Sequence, residues 1–212
     1  MNTPATRAPV GALALALAGA FFLLFPALRP WRDETTVTGA IEAMGSTAWV
    51  LSHYAGVLAF ILVPVGLRAL RRRLTGTAGE GLARMAAVSG WLGVGLILPY
   101  FGAETFGLNA VARHAATDPS VDMLGIAESV RLGPLAAGTF VVGLLLIAVA
   151  GVQAALAVGR SSTLPAASAW LFAAGLALYL PQFFGSPALR IAHGVLLAVG
   201  CWWLARSMLR SA

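Results

Sequence analysis

The sequence predicts an all-α integral membrane bundle of about six transmembrane helices, with both termini on the cytoplasmic side. Three observations carry that reading. Only 10% of the 212 residues are charged while 59% are hydrophobic, and mean hydropathy is +0.84. Soluble domains carry about 25% charged residues, so this chain cannot cover a water-facing surface. Six apolar runs approach the ~20 residues that span ~30 Å of hydrocarbon. Finally, the arginines gather at the ends of those runs, where they report topology. The length suits one transmembrane domain over residues 1–212.

The runs extend over about 10–28, 48–67, 82–103, 134–158, 166–180 and 188–204. In the first, Arg7 and Ala18-Gly19-Ala20 resemble a secretory signal with a small-residue cleavage site. The run continues through Phe21–Phe25, which favours a retained helix. The second and third contain Pro64 and Pro99, each expected to bend its helix. The third also bears a small-residue face (Ala86, Ser89, Gly90, Gly93). Close backbone approach drives helix association in lipid, so this helix is expected at the centre of the bundle. The fifth run is short and ends at Leu180-Pro181-Gln182. The second and sixth share a faint echo beginning at His53 and His193, which chance explains equally well in so apolar a sequence.

Orientation follows from charge. Arg7, Arg68, Arg71, Arg72, Arg73, Arg84, Arg160, Arg206 and Arg210 fall on one side, with Glu80 as its acid. Asp33, Glu34, Glu42, Glu104, Asp118, Asp122 and Glu128 fall on the other, together with Arg29, Arg32, Arg113 and Arg131. The arginine-rich side is therefore expected to be cytoplasmic, in a cell inner (plasma) membrane. The longer links lie outside. In Phe106–Gly133, Asp118-Pro119 reads as an N-cap and N1 pair opening a short interfacial helix.

Ionisable residues inside membrane segments are costly and point to function. His53 and His193 each lie about five residues into an outside-to-inside helix, so both imidazoles sit at one depth, ~8 Å below the outer end. Glu104 is near the outer end of the third helix. Arg190 precedes His193 by three residues on one helix face. Tyr54, Ser52 and Gln182 lie nearby, and His114 lies in the outer loop. The expected site is an outward-facing polar pocket with Glu104, His53 and His193 as its chemical groups. Arg190, Tyr54, Gln182 and His114 are expected as ligand contacts.

Three chemistries suit such a layer. The pocket binds a small or amphiphilic molecule, with membrane lipids as the other partners. Alternatively, His53 and His193 ligate haem b, or join Glu104 in a divalent metal site. In the third reading Glu104, its pKa raised by an apolar setting, acts as the acid of an isoprenoid or terpene cyclase. Purely structural roles exist for the same residues: His53 bonded to Ser52, Ser46 or a carbonyl, Arg190 paired with Glu104, and Glu128 paired with Arg131. Trp31, Trp49, Trp91, Trp170, Trp202 and Trp203 lie near helix ends and read as belt residues.

Other classes are excluded or unsupported. There is no Lys for a Schiff base, and the single Cys201 forms no intrachain disulfide. Nucleic acid is not an expected partner, because the basic residues mark helix ends and not a stripe. No P-loop, dinucleotide-binding loop or nucleophile elbow is present.

Trp49-Val-Leu-Ser52-His53, the following Gly-Leu-Arg-Ala-Leu, and Glu104-Thr-Phe106 resemble a loose group of uncharacterised polytopic bacterial membrane proteins of about six helices. A Ser-His in the second helix and a Glu-x-Phe in the third recur in that group. The resemblance implies no activity, and it directs attention to Ser52, His53 and Glu104.

Overall fold

The computed structural model describes residues 8–210 and is all-helical over them, without strands among the described residues. Arg7 lies outside the described residues. Five helices are long and apolar enough to cross a membrane: α1 (Ala8–Leu28), α3 (Thr47–Arg73), α4 (Glu80–Gly102) with its continuation, α7 (Pro134–Ser161) and α10 (Pro187–Arg210). The fifth apolar run forms α8 (Ala166–Ala177), too short to meet that length, followed at once by α9 (Tyr179–Gln182).

Several elements outrun their expected ends. α3 carries Arg71, Arg72 and Arg73 as its last helical turn, where cations complement the negative end of the helix dipole. The third run does not stop at residue 103. It widens into a π-helical turn (Ala103–Gly107) and continues as α5 (Leu108–Ala115), so Pro99 does not interrupt it. The 36 residues of Glu80–Ala115 measure about 54 Å at 1.5 Å per residue, well beyond a ~30 Å hydrocarbon layer. The surplus supports a cap at one end of the bundle, made with α2 (Val37–Met44) and α6 (Met123–Leu132).

Cap residues fix those short helices. Thr36 Oγ1 accepts from Gly39 N, Ser46 Oγ from Trp49 N at 3.1 Å, and Asp122 Oδ1 from Gly125 N at 2.9 Å. The N-cap of the outer-loop helix is therefore Asp122, not Asp118. Asp118 closes a turn instead, accepting from the Ser120 hydroxyl and amide, which hold its carboxyl below the ordinary range. Nor does α6 lie free in an interface. Met123 and Ala127 are buried with Ala40, Met44, Leu108 and Ala112 in one apolar cluster shared by α2, α5 and α6.

Below the cap the helices form a closed ring in the order α1, α3, α4, α7, α8, α10. The third run is thus one member of a ring and not its hub. Its small face serves the α4–α7 seam. A Cβ on Gly93 would lie 2.8 Å from the Gly143 carbonyl oxygen, and one on Gly143 would lie 2.9 Å from that of Gly93. Two backbones in such contact leave no room for a side chain. Ser89 Oγ donates to Gln153 Oε1 across the same seam at 3.1 Å. Rings fill the middle of the bundle: Phe22, Phe60, Phe101 and Tyr179 join at centroid distances of 4.8 to 5.6 Å. Leu13, Val88, Leu92, Leu145, Val149 and Val199 are exposed on the perimeter, as helices bathed in lipid require.

Gly143→Val is expected to force α4 and α7 apart and to lower stability by about 2 kcal/mol or more. Denaturant titration of the detergent-solubilised protein measures it, with Gly138→Val, where no atom lies within 4 Å, as the tolerated control.

Candidate functional site

Charged residues that follow or precede apolar helices meet where the ring joins the cap. Arg29 emerges from the end of α1, and Glu34 sits in the link to α2. Glu104 lies in the π-helical turn and Arg131 in the last turn of α6. They form one chain of contacts. Arg29 Nη2 donates to Glu34 Oε1 at 2.7 Å. The other Glu34 oxygen accepts from Arg131 Nη2 at 3.0 Å. Arg131 also grips Glu104 through Nε at 2.7 Å and Nη2 at 3.1 Å. These are not surface pairs: the Arg29, Glu34, Arg131 and Glu104 side chains keep 10%, 17%, 23% and 8% of their accessible surface. Burial opposes the charge on Arg131, but its hydrogen bonds to Glu104 and the two carboxylate charges hold its pKa above the ordinary guanidinium value.

Two tryptophans separate the like charges. The Arg29 guanidinium lies 4.6 Å from the Trp49 ring centroid and 5.2 Å from that of Trp31. Arg131 shares Trp49 at 5.7 Å, and Arg190 shares Trp31 at 5.4 Å. The series is Arg190, Trp31, Arg29, Trp49, Arg131, with each indole face attracting two cations. Trp49 is fully buried, so it is not a belt residue. Its indole N–H donates to the Glu104 carbonyl at 2.7 Å. A π-helical turn disrupts the regular ladder and is frequent at functional sites; here it presents the Glu104 main chain to Trp49 and its carboxylate to Arg131.

His53 stacks on Trp49, with ring centroids 4.1 Å apart. Its Nδ1 faces the Trp49 carbonyl at 2.8 Å, an atom that only accepts. Its Nε2 faces Arg29 Nη1 at 3.2 Å, an atom that only donates. The partners therefore assign the Nδ1–H tautomer. Both ring nitrogens are committed, with Ser52 Oγ also near Nδ1 at 3.2 Å.

The chain borders a cavity of about 340 Å³. Arg29, Glu34, His53, Glu104, Arg131 and Arg190 form its polar wall. Phe25, Phe101, Phe140, Phe183, Leu180 and Val141 form the apolar one. Phe184 and Leu132 stand at its lip, 88% and 68% exposed.

Three of the expected site residues, His53, Glu104 and Arg190, do line this cavity. The others do not. His193 is buried outside this cavity, donating from Nε2 to the Gly175 carbonyl oxygen at 2.8 Å. It borders a second small cleft with Gln182, Tyr179 and Trp31, which Arg29 and Arg190 also line. Tyr54 is exposed on the outer face of α3, and His114 is exposed beside Asp118 at 3.8 Å. Arg190 does not pair with Glu104, nor Arg131 with Glu128: both carboxylate contacts of Arg131 go to Glu104 and Glu34. Arg190 donates Nε to the Gly185 carbonyl at 3.2 Å and Nη2 to that of Phe183.

Both ring nitrogens of His53 and the Nε2 of His193 have protein partners. No cluster of three or more His, Cys, Asp or Glu suited to a metal occurs among the described residues. Both Glu104 oxygens accept from the one Arg131 guanidinium. Sequence reasoning missed Arg29, Glu34 and Trp49. Their signal was position alone: each lies within a turn or two of an outer helix end at the depth of His53.

Comparison with protein-family profiles, curated proteins and solved structures finds no match to this chain in any of the three.

Trp49→Phe keeps the ring and removes the bond to the π-helical turn. It is expected to cost about 1–2 kcal/mol and to speed amide exchange at residues 105–108, read by hydrogen–deuterium exchange; unchanged exchange there would contradict this role for the indole.

Proposed function

We propose that this protein is a multi-pass inner-membrane protein whose outward-facing pocket binds a small amphiphilic molecule. The observation that carries the reading is the cavity's two-sided lining. One wall is charged and aromatic, the other is phenylalanine and leucine, and the lip is exposed apolar side chains. A solute with a polar end and an apolar end matches both walls at once. At about 340 Å³ the cavity is at the small end of ligand sites, which run ~300–1,000 Å³, so it suits one short chain and not a whole phospholipid.

Topology supports the outward direction. Arg71–Arg73, Arg84, Arg160 and Arg210 gather at the end of the ring opposite the cap, and arginine-rich ends face the cytoplasm. On that reading α8 with α9 makes the sixth crossing, both termini are cytoplasmic, and the cap with its pocket faces outward. Binding is the favoured activity because His53 and Glu104, the expected chemical groups in this cavity, are held by protein partners.

Ala137 lines the cavity, and Ala137→Phe fills part of it. Protein purified in a maltoside detergent is expected to retain about one amphiphile per chain, detected by native mass spectrometry, and the Ala137→Phe variant to lose it at unchanged melting temperature. Equal retention by both would exclude this cavity as the site.

A further inference from the structure

The charges around the cavity do not balance. Three guanidinium groups, Arg29, Arg131 and Arg190, face two carboxylates, Glu34 and Glu104. Arg131 takes both oxygens of Glu104 and one of Glu34, and Arg29 takes the other oxygen of Glu34. Arg190 forms no ion pair among the described residues; it reaches only main-chain carbonyls. Its Nη1 has no hydrogen-bond partner among them. Arg29 Nε is buried without a hydrogen-bond partner on a side chain that keeps 10% of its surface.

A half-buried cation without a counter-ion, and a buried N–H without an acceptor, are each costly. Both belong to residues lining the same cavity, and both guanidinium groups lie over the Trp31 ring. An anion there would supply the counter-ion that Arg190 lacks and would lie close to the Arg29 charge, since guanidinium donors match planar or tetrahedral oxyanions.

We infer that the ligand is an anionic single-chain amphiphile, its phosphate or carboxylate head at Arg190 and Arg29 and its apolar chain against Phe140, Phe183 and Val141. This rests on the binding function proposed above and adds the sign of the head group and the residue that reads it. Glu34 and Glu104 do not repel the head from this end, because Arg131 occupies both of them.

The test uses the full chain in an uncharged maltoside detergent, titrated by calorimetry with four probes: dodecyl phosphate, dodecanol, dodecyltrimethylammonium and inorganic phosphate. Dodecyl phosphate is expected to bind saturably at one per chain. It should bind at least tenfold tighter than dodecanol, with the cation and inorganic phosphate weaker still. Arg190→Gln should lose about tenfold in affinity for dodecyl phosphate and leave dodecanol unchanged, while Arg190→Lys should keep most of the preference. If dodecanol or the cation binds as tightly as dodecyl phosphate, the anionic assignment fails although the pocket stands. Inorganic phosphate binding equally well would mean that no apolar chain is recognised. Unaltered discrimination in Arg190→Gln removes Arg190 from the role. If Arg190→Gln does not fold, the wild-type ranking of the four probes decides alone. Binding of none of the probes overturns both the inference and the pocket.

Discussion

The capped end of this molecule depends on one buried ion chain, Arg29–Glu34–Arg131–Glu104. It ties the end of α1, the α1–α2 link, the π-helical turn and α6 to one another, elements up to 102 positions apart in sequence numbering (29 to 131). Buried pairs offset a large desolvation cost only when their geometry is good and their remaining groups are bonded. Here Arg131 is doubly bonded to one carboxylate and singly to another, and both indoles stack on the cations. Removing one member leaves its partners charged and dry, so the chain acts as a unit that fixes where the cap sits on the ring.

The same arrangement explains the cavity. The aromatic cluster around Phe60 and Tyr179 closes the ring below, and the ion chain holds the cap above it. The space between them is lined by guanidinium groups on one side and phenylalanines on the other, and Arg190 bridges the two by lying 5.6 Å from the Phe183 ring centroid. Trp31 and Trp49 let three guanidinium groups share one layer.

Hydropathy and arginine placement made the helices legible in the sequence, because lipid forces every spanning segment to be long and apolar. Even the weakness of the fifth run was visible, and the structure gives it as the short α8. The depth argument for His53, Glu104 and Arg190 also located three groups that share a cavity. His193 lines the adjoining cleft with Arg29 and Arg190 and not the cavity itself, since helix depth says nothing of rotation about the axis and its ring turns to the Gly175 carbonyl. The cap was less legible. α2, α5 and α6 bury mostly alanine and methionine, which carry little amphipathic contrast, and the π-helical turn leaves no sequence mark. Arg131 has Glu128 one helical turn away, and local spacing favours that pair, but its actual partners come from two other elements. Trp49 opens a spanning helix, the position of a belt residue, and only the presence of α2 and α5 over it reveals that it is buried.

The central claim is that Arg131 and Glu104 are energetically coupled across the junction of cap and ring. A double-mutant cycle with Arg131→Met and Glu104→Gln, read by reversible unfolding in mixed detergent, measures that coupling directly. A coupling of about 2 kcal/mol or more is expected for contacting members of one charged network. Effects that add to within about 0.3 kcal/mol, as independent sites do, would contradict the account.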